Sequence, residues 1–402
     1  MNIIIFEDYN IKYLQPFSIN HASFELKCGT FTNLDRIINS FSEDNKFYLI
    51  VRDEIKDIIQ EKFPKYIVNP KKIPQGLYLN GAAVWNSDII SKIKKGYAFS
   101  SSGNLVSFIS SEVLIFDDIY DVIDKTSKVT SDIEIDYITY LWDCIDLIDK
   151  YLAIDKDYLP KEKLYRKKDF EIMAKELNII LVNGYNNIFI TKNCIIEPGT
   201  IIDSSSGTII IKNCKIESGS IIKGPTLIEE NTVINNGAKL KGNILIGSNC
   251  KIGGEISSSI FCNYSNKQHD GFIGNSFIGE WVNIGANVNN SNLKNNYGLI
   301  KFQFNTSIID TSKIFLGVMI GDYSRIGIST MINTGSYIGL GANVYGGDFQ
   351  EKYLKSFSWG REDLTDFNKF IQTITIMKSR RNKKVTDFEL LFLKEFHSLN
   401  SK

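Results

Sequence analysis

The sequence has no net charge, because 46 basic residues balance 46 acidic residues. Without a positive field a chain has no general attraction for nucleic acid or an anionic membrane, so we expect a small-molecule substrate. The sequence also lacks any run of about 18–20 apolar residues, and its first residues, MNIIIFED, contain no basic leader. We therefore predict neither a membrane span nor a signal peptide, and we expect a cytoplasmic protein.

Spacings typical of metal sites are missing as well. Six cysteines are present, but they form no CxxC pair and no Cys/His pattern that would suit zinc. We interpret them as small buried residues in a reducing compartment, and we predict no resident metal. The six are Cys28, Cys144, Cys194, Cys214, Cys250 and Cys262.

The length of 402 residues exceeds the size at which one core stops growing, about 250–300 residues, so we expect several domains. Over residues 1–150, strand-like runs alternate with an amphipathic helical pattern at Glu54–Phe63, which predicts an α/β domain. Helical patterning broken at Pro160 predicts a linker over residues 151–184. The strand-like runs are Asn2–Phe6, Phe47–Val51 and Val113–Phe116.

Aliphatic residues recur every six positions over residues 185–347. This period fits neither a helix nor an isolated strand, but it fits short parallel strands stacked in a three-sided coil, with each aliphatic pointing inward. Small residues follow four positions after many of these aliphatics, as at Ser220, Thr226, Thr232, Ala238 and Cys250. The first run is Ile210, Ile216, Ile222, Ile228, Ile234, Leu240, Ile246 and Ile252, and the second is Ile308, Ile314, Ile320, Ile326, Ile332, Ile338 and Val344.

The repeat is interrupted twice, at Ser257–Gly271 and at Asn289–Ser307. Insertions in a solenoid form loops on one face, often the binding face, so chemistry is expected there. Residues 348–402 form a tail with helical patterns at Asp363–Lys378 and Thr386–Leu399. We expect these helices to cover the open end of the coil.

His269 is one of three histidines, and it lies at the edge of the first interruption. Transfer of an acyl group to an amine needs a base that titrates near neutrality, and histidine meets that requirement. Considered alone, a surface histidine without a role remains the alternative. Lys267, Lys294 and Arg325 could hold a phosphate or the diphosphate of coenzyme A, or they could be ordinary solvated charges.

The segment HDGFIGNSFIGEWVNIGANVNNSNLKNNYG resembles the acetyltransferase half of the bifunctional N-acetylglucosamine-1-phosphate uridylyltransferase/glucosamine-1-phosphate acetyltransferase. The resemblance implies a left-handed coil, acetyl-CoA as acyl donor and a homotrimer. It places the catalytic base at His269 and substrate-binding asparagines at Asn283 and Asn292. Phe272 and Leu293 stand where that family has tyrosines, which leaves the acceptor sugar open.

A closer resemblance covers nearly the whole chain, through motifs such as KIGGEISSSIF, GDYSRIGI and FSWG. It points to the variant family that joins a sugar nucleotidyltransferase-like domain to a hexapeptide coil. In that family's N-terminal motif, Glu25, Gly29, Asn80 and Gly81 match, as do Trp142 and Asp143. His21 and Lys27 replace two arginines, and Ala82 replaces a third.

An arginine fork at a phosphate site is not equivalent to lysine or histidine, and alanine offers no charge at all. The N-terminal domain is therefore expected to keep the fold with weak or absent nucleotidyl transfer. The leading hypothesis is an acetyl-CoA-dependent N-acetyltransferase for an amino-sugar phosphate or a nucleotide-linked amino sugar. The alternatives are a bifunctional enzyme that also uses Mg²⁺ in nucleotidyl transfer, and a catalytically silent trimer.

Overall fold

The computed structural model describes residues 1–93, 96–100, 103–125, 131–305, 307–361 and 363–401. An N-terminal α/β region precedes a long coil of short parallel strands, and two helices follow the coil. The predicted combination of an α/β sheet with stacked parallel strands is therefore confirmed. The left hand of the coil and the exact domain boundaries stay predictions.

Four adjacent strands of the N-terminal sheet run parallel, and helices lie in the connections between the first three of them along the chain. The strand order across the sheet is Ile67–Val68, Lys46–Ile50, Asn2–Phe6, Gly76–Asn80, Leu105–Ser110, Tyr97–Ser100 and Ser131–Ile133. The helices around it are Asn33–Asn39, Lys56–Lys62, Ser87–Ser91 and Ile119–Lys125. Single 3₁₀ turns lie at Tyr9–Leu14, Phe17–Ile19, Ser23–Glu25, Asp53–Ile55 and Phe116–Asp118.

One of the predicted strands, Val113–Phe116, is shorter than predicted and lies largely exposed at the margin of the domain. Within the predicted run Val113–Phe116, only Leu114–Ile115 is a strand, and it pairs with Lys72–Ile73 at the margin of the domain. Val113 and Ile115 are more than half exposed. A short apolar run does not by itself distinguish a buried strand from an edge strand.

The connection into the coil is helical, and Pro160 interrupts it as predicted. Proline cannot donate the backbone hydrogen bond that a continuing helix needs. The helices are Leu141–Asp146, Ile148–Asp155 and Lys167–Glu176, with 3₁₀ turns at Lys156–Tyr158 and Lys161–Lys163.

The coil has three faces, each a parallel sheet. The first face contains Ile180–Val182, Ile201–Asp203, Ile221–Lys223, Lys239–Leu240, Glu255–Ser257 and Phe272–Gly274, and the pair Asn289–Asn290 and Met331–Ile332 follows it. The second face contains Ile188–Ile190, Ile209–Ile211, Thr226–Ile228, Ile244–Ile246, Ser259–Phe261, Phe277–Ile278, Val318–Ile320, Ser336–Ile338 and Tyr353–Leu354. The third face contains Ile195–Ile196, Lys215–Ile216, Val233–Ile234, Lys251–Ile252, Asn266–Lys267, Asn283–Ile284, Arg325–Ile326, Asn343–Val344, Ser358–Trp359 and Asp363–Leu364.

Residues in register stack on one another to form the interior. Ile211, Ile228 and Ile246 follow each other up the second face, and Ile216, Ile234 and Ile252 do the same on the third. All belong to one buried apolar cluster. The small positions are filled by fully buried side chains, namely Ser220, Thr226, Thr232, Ala238 and Cys250.

Some predicted inward positions are wrong. Ile210 points out of the coil, and its neighbour Ile211 fills the interior instead. The spacing that carries the repeat through Ile278 and Ile284 also predicts an inward Phe272, but Phe272 is half-buried on the outside, with Ile273 inside. Ile308 and Ile314 are about half exposed or more and lie in a loop outside the coil. Because side chains alternate along a strand, an error of one residue reverses the face.

The second face is buried on both sides. Its outward residues Ile210, Leu227, Leu245 and Ile260 pack against the N-terminal region, in a cluster that includes Trp142. Burial of one such aliphatic side chain contributes about 1.5–3 kcal/mol. Strands of the second face therefore contain three consecutive buried residues, whereas in strands of the first face buried residues alternate with partly exposed ones.

The two interruptions differ in kind. Ser257–Gly271 is an ordinary coil, since Ser259–Phe261 and Asn266–Lys267 pair with the strands below them. The second interruption is a true excursion that leaves the first face after Asn290 and rejoins the second face at Val318. It contains an antiparallel hairpin of Lys301–Gln303 with Ile308–Asp310.

The two tail helices, Phe367–Ser379 and Asp387–Asn400, begin and end close to the predicted positions. They do not cover the open end of the coil. They pack along its flank on Trp281, Tyr323 and Leu340, and they reach the N-terminal region. The end of the third face is instead paired with the antiparallel strand Asp363–Leu364. Among the described helices, none has the length and apolar character needed to cross a lipid bilayer.

We predict that Ile228→Asp abolishes folding of the coil. Ile228 is fully buried between Ile211 and Ile246, so the substitution places an unpaired carboxylate in the interior, which costs several kcal/mol. The expected result is insoluble protein, measured by the soluble fraction on expression. Ile195→Asp, at an exposed coil position, is the matched control and should remain soluble. A soluble Ile228→Asp protein that unfolds cooperatively would contradict the assigned register.

Candidate functional site

The turn that carries His269 lies at the corner between the third and first faces. It follows the strand Asn266–Lys267 and precedes the strand Phe272–Gly274. The His269 side chain is exposed. Among the described residues, no hydrogen bond ties its ring to another protein group. The ring is thus accessible to a substrate.

Lys267 does not match the expectation of a phosphate-binding surface residue. It is fully buried and occupies the inward position between Ile252 and Ile284 on the third face. Its ammonium group donates to the backbone carbonyls of His269 and Asp270, the second at 2.9 Å. Burial lowers the pKa of Lys267 to about 8, although the Asp270 carboxylate opposes this.

The coil below the turn requires glycine. A Cβ on Gly253 would collide with the carbonyl oxygen of Gln268, and one on Gly254 would lie 2.6 Å from the Gly271 oxygen. Gly254 also has a φ of +73°. The Gly-Gly pair of the KIGGEIS motif therefore lets the His269 turn stack closely on the previous coil.

Asn283 and Arg325 lie next to each other on the outside of the third face. Asn283 is exposed, and the amide oxygen of Asn266 below it is buried without a partner among the described residues. Arg325 is half-buried, and burial lowers its pKa. Within the part of the chain that the structure describes, its guanidinium has no carboxylate partner, so it can accept an anionic ligand.

Phe272 and Asn292 lie together on the first face. A Cβ on Gly274 would lie 2.9 Å from the Asn292 amide nitrogen and would collide with the Phe272 ring. The side-chain amide of Asn292 donates to Asn275 Oδ1 at 2.8 Å, and the backbone carbonyl of Asn292 accepts from the Leu316 N–H. Asn292 is thus fixed at the base of the excursion, beside Phe272.

Lys294 is engaged within the excursion itself. Its ammonium group donates to the carbonyl of Leu299 at 2.5 Å. The same cation contributes, after burial, to a lowered pKa of Lys352. The corner with His269 is therefore flanked by Asn283 and Arg325 on one face and by Phe272 and Asn292 on the other, with Lys294 farther out on the loop.

Two neighbouring asparagines have roles that sequence reasoning did not assign. Asn290 is buried in the coil, and its side-chain amide takes the place of a neighbouring strand's backbone. It accepts from the Gly274 N–H at 2.8 Å and donates to the Gly274 carbonyl. Asn289 accepts from the Phe272 N–H at 2.8 Å. Asn290 stands six residues after Ile284, where the repeat expects an aliphatic, and this departure was the available signal.

In the N-terminal region, Glu25 is buried in a cluster of charges. Its carboxylate pairs with Lys62 and lies 3.4 Å from His21 Nδ1. Burial would raise the pKa of Glu25, but Lys62 and His21 outweigh it and lower the pKa to about 2. The carboxylate also caps its own turn by accepting from the Ala22 N–H.

Each of the two cations that replace family arginines pairs with a carboxylate of the coil. His21 Nε2 lies 2.8 Å from Asp322 Oδ2, and Lys27 Nζ lies 2.5 Å from Glu229 Oε1. Burial would lower the pKa of His21, but Asp322 and Glu25 outweigh it and raise the pKa to about 10. Both cations thus form ion pairs with carboxylates of the coil.

The remaining motif residues support the same loop. Asn80 is fully buried, where its amide donates to Asp8 at 2.8 Å and to the Leu105 carbonyl. Gly81 lies against Ser23, where a Cβ would lie 2.8 Å from the hydroxyl oxygen. Gly29 packs on Asp155, which receives a bidentate ion pair from Arg36.

A cavity of about 340 Å³ remains between this region and the coil. Its charged lining sets His21, Lys27 and Lys62 against Glu25, Asp35, Glu229 and Glu280, so it presents no excess of positive charge to a triphosphate. Ala82 is buried and adds none.

His21, Glu280 and Asp322 bring three potential metal ligands within 4.8 Å of one another. Their atoms already have protein partners. Asp322 accepts from Asn20 and from the Glu280 N–H, and Glu280 accepts from Asn263. A metal ion would have to displace the His21 proton. We therefore describe the cluster as an ion-pair network between the N-terminal region and the coil.

Comparison with known proteins gives a match for the N-terminal part. Residues 3–163 match the model of the sugar nucleotidyl transferase family, which is less than half of the chain. Among curated proteins, none matches.

Solved structures of AntD, an N-acyltransferase from Bacillus cereus, are similar over about half of the chain. A point mutant in complex with dTDP and coenzyme A is 13% identical, with 54% of this chain and 99% of that chain covered and a TM-score of 0.21. The complex with dTDP and 3-hydroxybutyryl-CoA is 13% identical, with 55% and 98% covered and a TM-score of 0.21. Such a TM-score supports no conclusion about this chain.

We predict that His21→Gln lowers stability in a pH-dependent way. Loss of the cation leaves Asp322 buried without its charge partner, which costs about 3–5 kcal/mol. Because the folded-state pKa of about 10 lies above the unfolded value, the stabilisation is complete below about pH 6.5 and is lost as the pH rises through 10. The difference in Tm between wild type and variant should therefore be larger at pH 6 than at pH 9.5.

His397→Gln is the matched control, because in the described part of the chain the ring nitrogens of His397 contact a backbone carbonyl and a serine hydroxyl but no charged group. It should shift Tm much less than His21→Gln does at pH 6. A Tm difference for His21→Gln that is equal at both pH values would contradict the ion-pair assignment.

Proposed function

We propose that this protein is an acyl-CoA-dependent N-acyltransferase that uses acetyl-CoA. Its acceptor is an amino-sugar phosphate or a nucleotide-linked amino sugar. The observation that supports the proposal is the exposed ring of His269, on a corner turn whose backbone is held by Lys267 and by the coils above and below.

His269 serves as the general base. As an acceptor amine forms its bond to the acyl carbon, the amine loses a proton, and the exposed imidazole of His269 can take it. Acyl-CoA supplies the acyl group as a thioester, whose carbon–sulfur bond breaks as the amide forms. Asn283 and Asn292, on either side of the corner, bind or orient the acceptor through their amides.

Arg325 is the residue best suited to hold the diphosphate of coenzyme A. Its half-buried guanidinium has no carboxylate partner among the described residues, and it adjoins Asn283. A charge-assisted hydrogen bond from such a group is roughly twice as strong as a neutral one. Lys267 is excluded from this role by its burial, and Lys294 already donates within its loop.

The acceptor end of the site is partly apolar. Phe272 lies against Gly274 beside Asn292, and Leu293 pairs with Phe315 in an isolated bridge of the excursion. Neither Phe272 nor Leu293 offers a hydroxyl to a sugar phosphate. We therefore expect an acceptor with apolar surface near its amine, such as a deoxygenated amino sugar.

A second activity, Mg²⁺-dependent nucleotidyl transfer in the N-terminal region, is favoured by the family match over residues 3–163. The contacts of its motif residues argue against it. Lys27 and His21 are committed to Glu229 and Asp322. We propose that this region serves as a platform that holds the coil, with little or no nucleotidyl transfer.

We predict that the protein is a homotrimer. Large apolar side chains are exposed along the excursion and the last coils, which is unusual for a monomer and typical of a surface covered by another subunit. Light scattering at micromolar concentration should give a mass near three times 45.6 kDa. A monomer would contradict the proposal. The exposed side chains are Ile314, Phe315, Ile328, Met331, Tyr345, Phe349 and Trp359.

We predict that His269→Ala lowers acyl transfer by about 10²–10⁴, the usual contribution of a positioned base. Transfer is measured as free thiol released from acetyl-CoA with a panel of amino-sugar phosphates and nucleotide-linked amino sugars. Tm and mass should not change, because the side chain is exposed. Lys241→Ala, at an exposed position on the corner between the first and second faces, is the control and should retain activity.

Two outcomes would contradict this assignment. Absence of thiol release by the wild type with every acceptor would favour a silent trimer. A strong Mg²⁺-dependent release of pyrophosphate, unaffected by His269→Ala but reduced by Lys27→Ala, would favour the bifunctional enzyme.

A further inference from the structure

The interior of the third face contains one charged residue. Its inward positions are aliphatic from coil to coil, except at Lys267, which lies between Ile252 and Ile284. The aliphatic positions are Ile196, Ile216, Ile234, Ile252, Ile284, Ile326 and Val344.

Stability of the coil does not explain a lysine at this position. Removing a cation from water carries a large penalty, and replacing buried charges by apolar side chains of similar volume is often neutral or stabilising. The neighbours of Lys267 in the stack are isoleucines, so an aliphatic would fit the same interior. We therefore expect the role of Lys267 to lie in the contacts of its ammonium group.

The ammonium group contacts the backbone of the His269 turn. It donates to the carbonyl oxygens of His269 and Asp270 from inside the coil. Among the described residues, Lys267 is the partner of the His269 carbonyl, and no other donor reaches it. The neighbouring carbonyls are held from outside: Gln268 accepts from Asn235 at 3.1 Å, and Asp270 also accepts from the Asn287 N–H at 2.8 Å.

We infer that Lys267 is a positioning residue, which fixes from within the coil the peptide group that presents the His269 ring. The turn is anchored on Gln268 by Asn235, two coils below, and on Asp270 by the coil above, and Lys267 supplies the missing anchor at His269 itself. A base must be held close to its productive geometry, since a displacement of about 1 Å can lower a rate by about 10²-fold. The kinetic part of this inference rests on the proposed function, but the structural part does not.

The test is Lys267→Met, which keeps an unbranched apolar stem and removes the donors. The chain has three histidines, so imidazole signals of isotope-labelled protein can be assigned, with His21 and His397 as internal references. We expect the His269 signal to shift or broaden while the other two stay unchanged. We also expect kcat to fall by about 10–100-fold with KM for acetyl-CoA changed less than about twofold.

Lys251→Met is the matched control, because Lys251 is the outward neighbour on the same face, one coil below. It should alter neither the His269 signal nor kcat. The inference is wrong if Lys267→Met leaves the His269 signal unchanged. It is also wrong if Lys267→Met is insoluble while Lys251→Met folds, because the lysine would then hold the coil as a whole. A shifted His269 signal without any acyl transfer in the wild type would support the positioning role and contradict the proposed function.

Discussion

The docking of the N-terminal region onto the second face of the coil is the constraint on which the remaining structure depends. The outward side chains of the second face, among them Leu227, Leu245 and Ile260, are buried against the N-terminal region. Without this contact they would be exposed to water. Once this contact forms, the loop after the first strand is held against the coil, and its charged residues must find partners there. Asp322 and Glu229 supply those partners, so the positive charges of His21 and Lys27 are neutralised within the protein.

The same contact leaves the opposite corner open. The N-terminal region covers the second face, and the tail helices occupy the flank next to Trp281, Tyr323 and Leu340. The corner between the third and first faces carries His269 and stays accessible. The candidate site and the contact with the N-terminal region therefore lie on different sides of the coil. Groups far apart with no shared partners act nearly independently, so a substitution on one side should leave the other unchanged.

Much of the coil could be predicted from sequence, because stacking imposes a regular period on every inward residue. Errors arose where a second constraint acted. At Ile210 the spacing predicts an inward side chain. Because both sides of the second face are buried, Ile209–Ile211 is uniformly apolar, and the strand shows no alternation that would identify its inward residues. For Lys267 the sequence predicts a surface charge. Its partners are backbone carbonyls, and the pattern of side chains along a sequence does not reveal contacts of that kind. The pairing of His21 with Asp322 joins residues 301 positions apart, a separation that local reasoning does not reach.

The excursion between Asn290 and Val318 has a further consequence. The strand Phe277–Ile278 pairs directly with Val318–Ile320, so the coil resumes in register as though the intervening residues were absent. At the root of the loop, the carbonyl of Asn292 accepts from the Leu316 N–H, which brings its two ends together. Because the closure entropy of such a loop grows only slowly with its length, the segment behaves as a replaceable module. The length and sequence of the excursion can therefore vary without disturbing the stacking of the coils on either side of it.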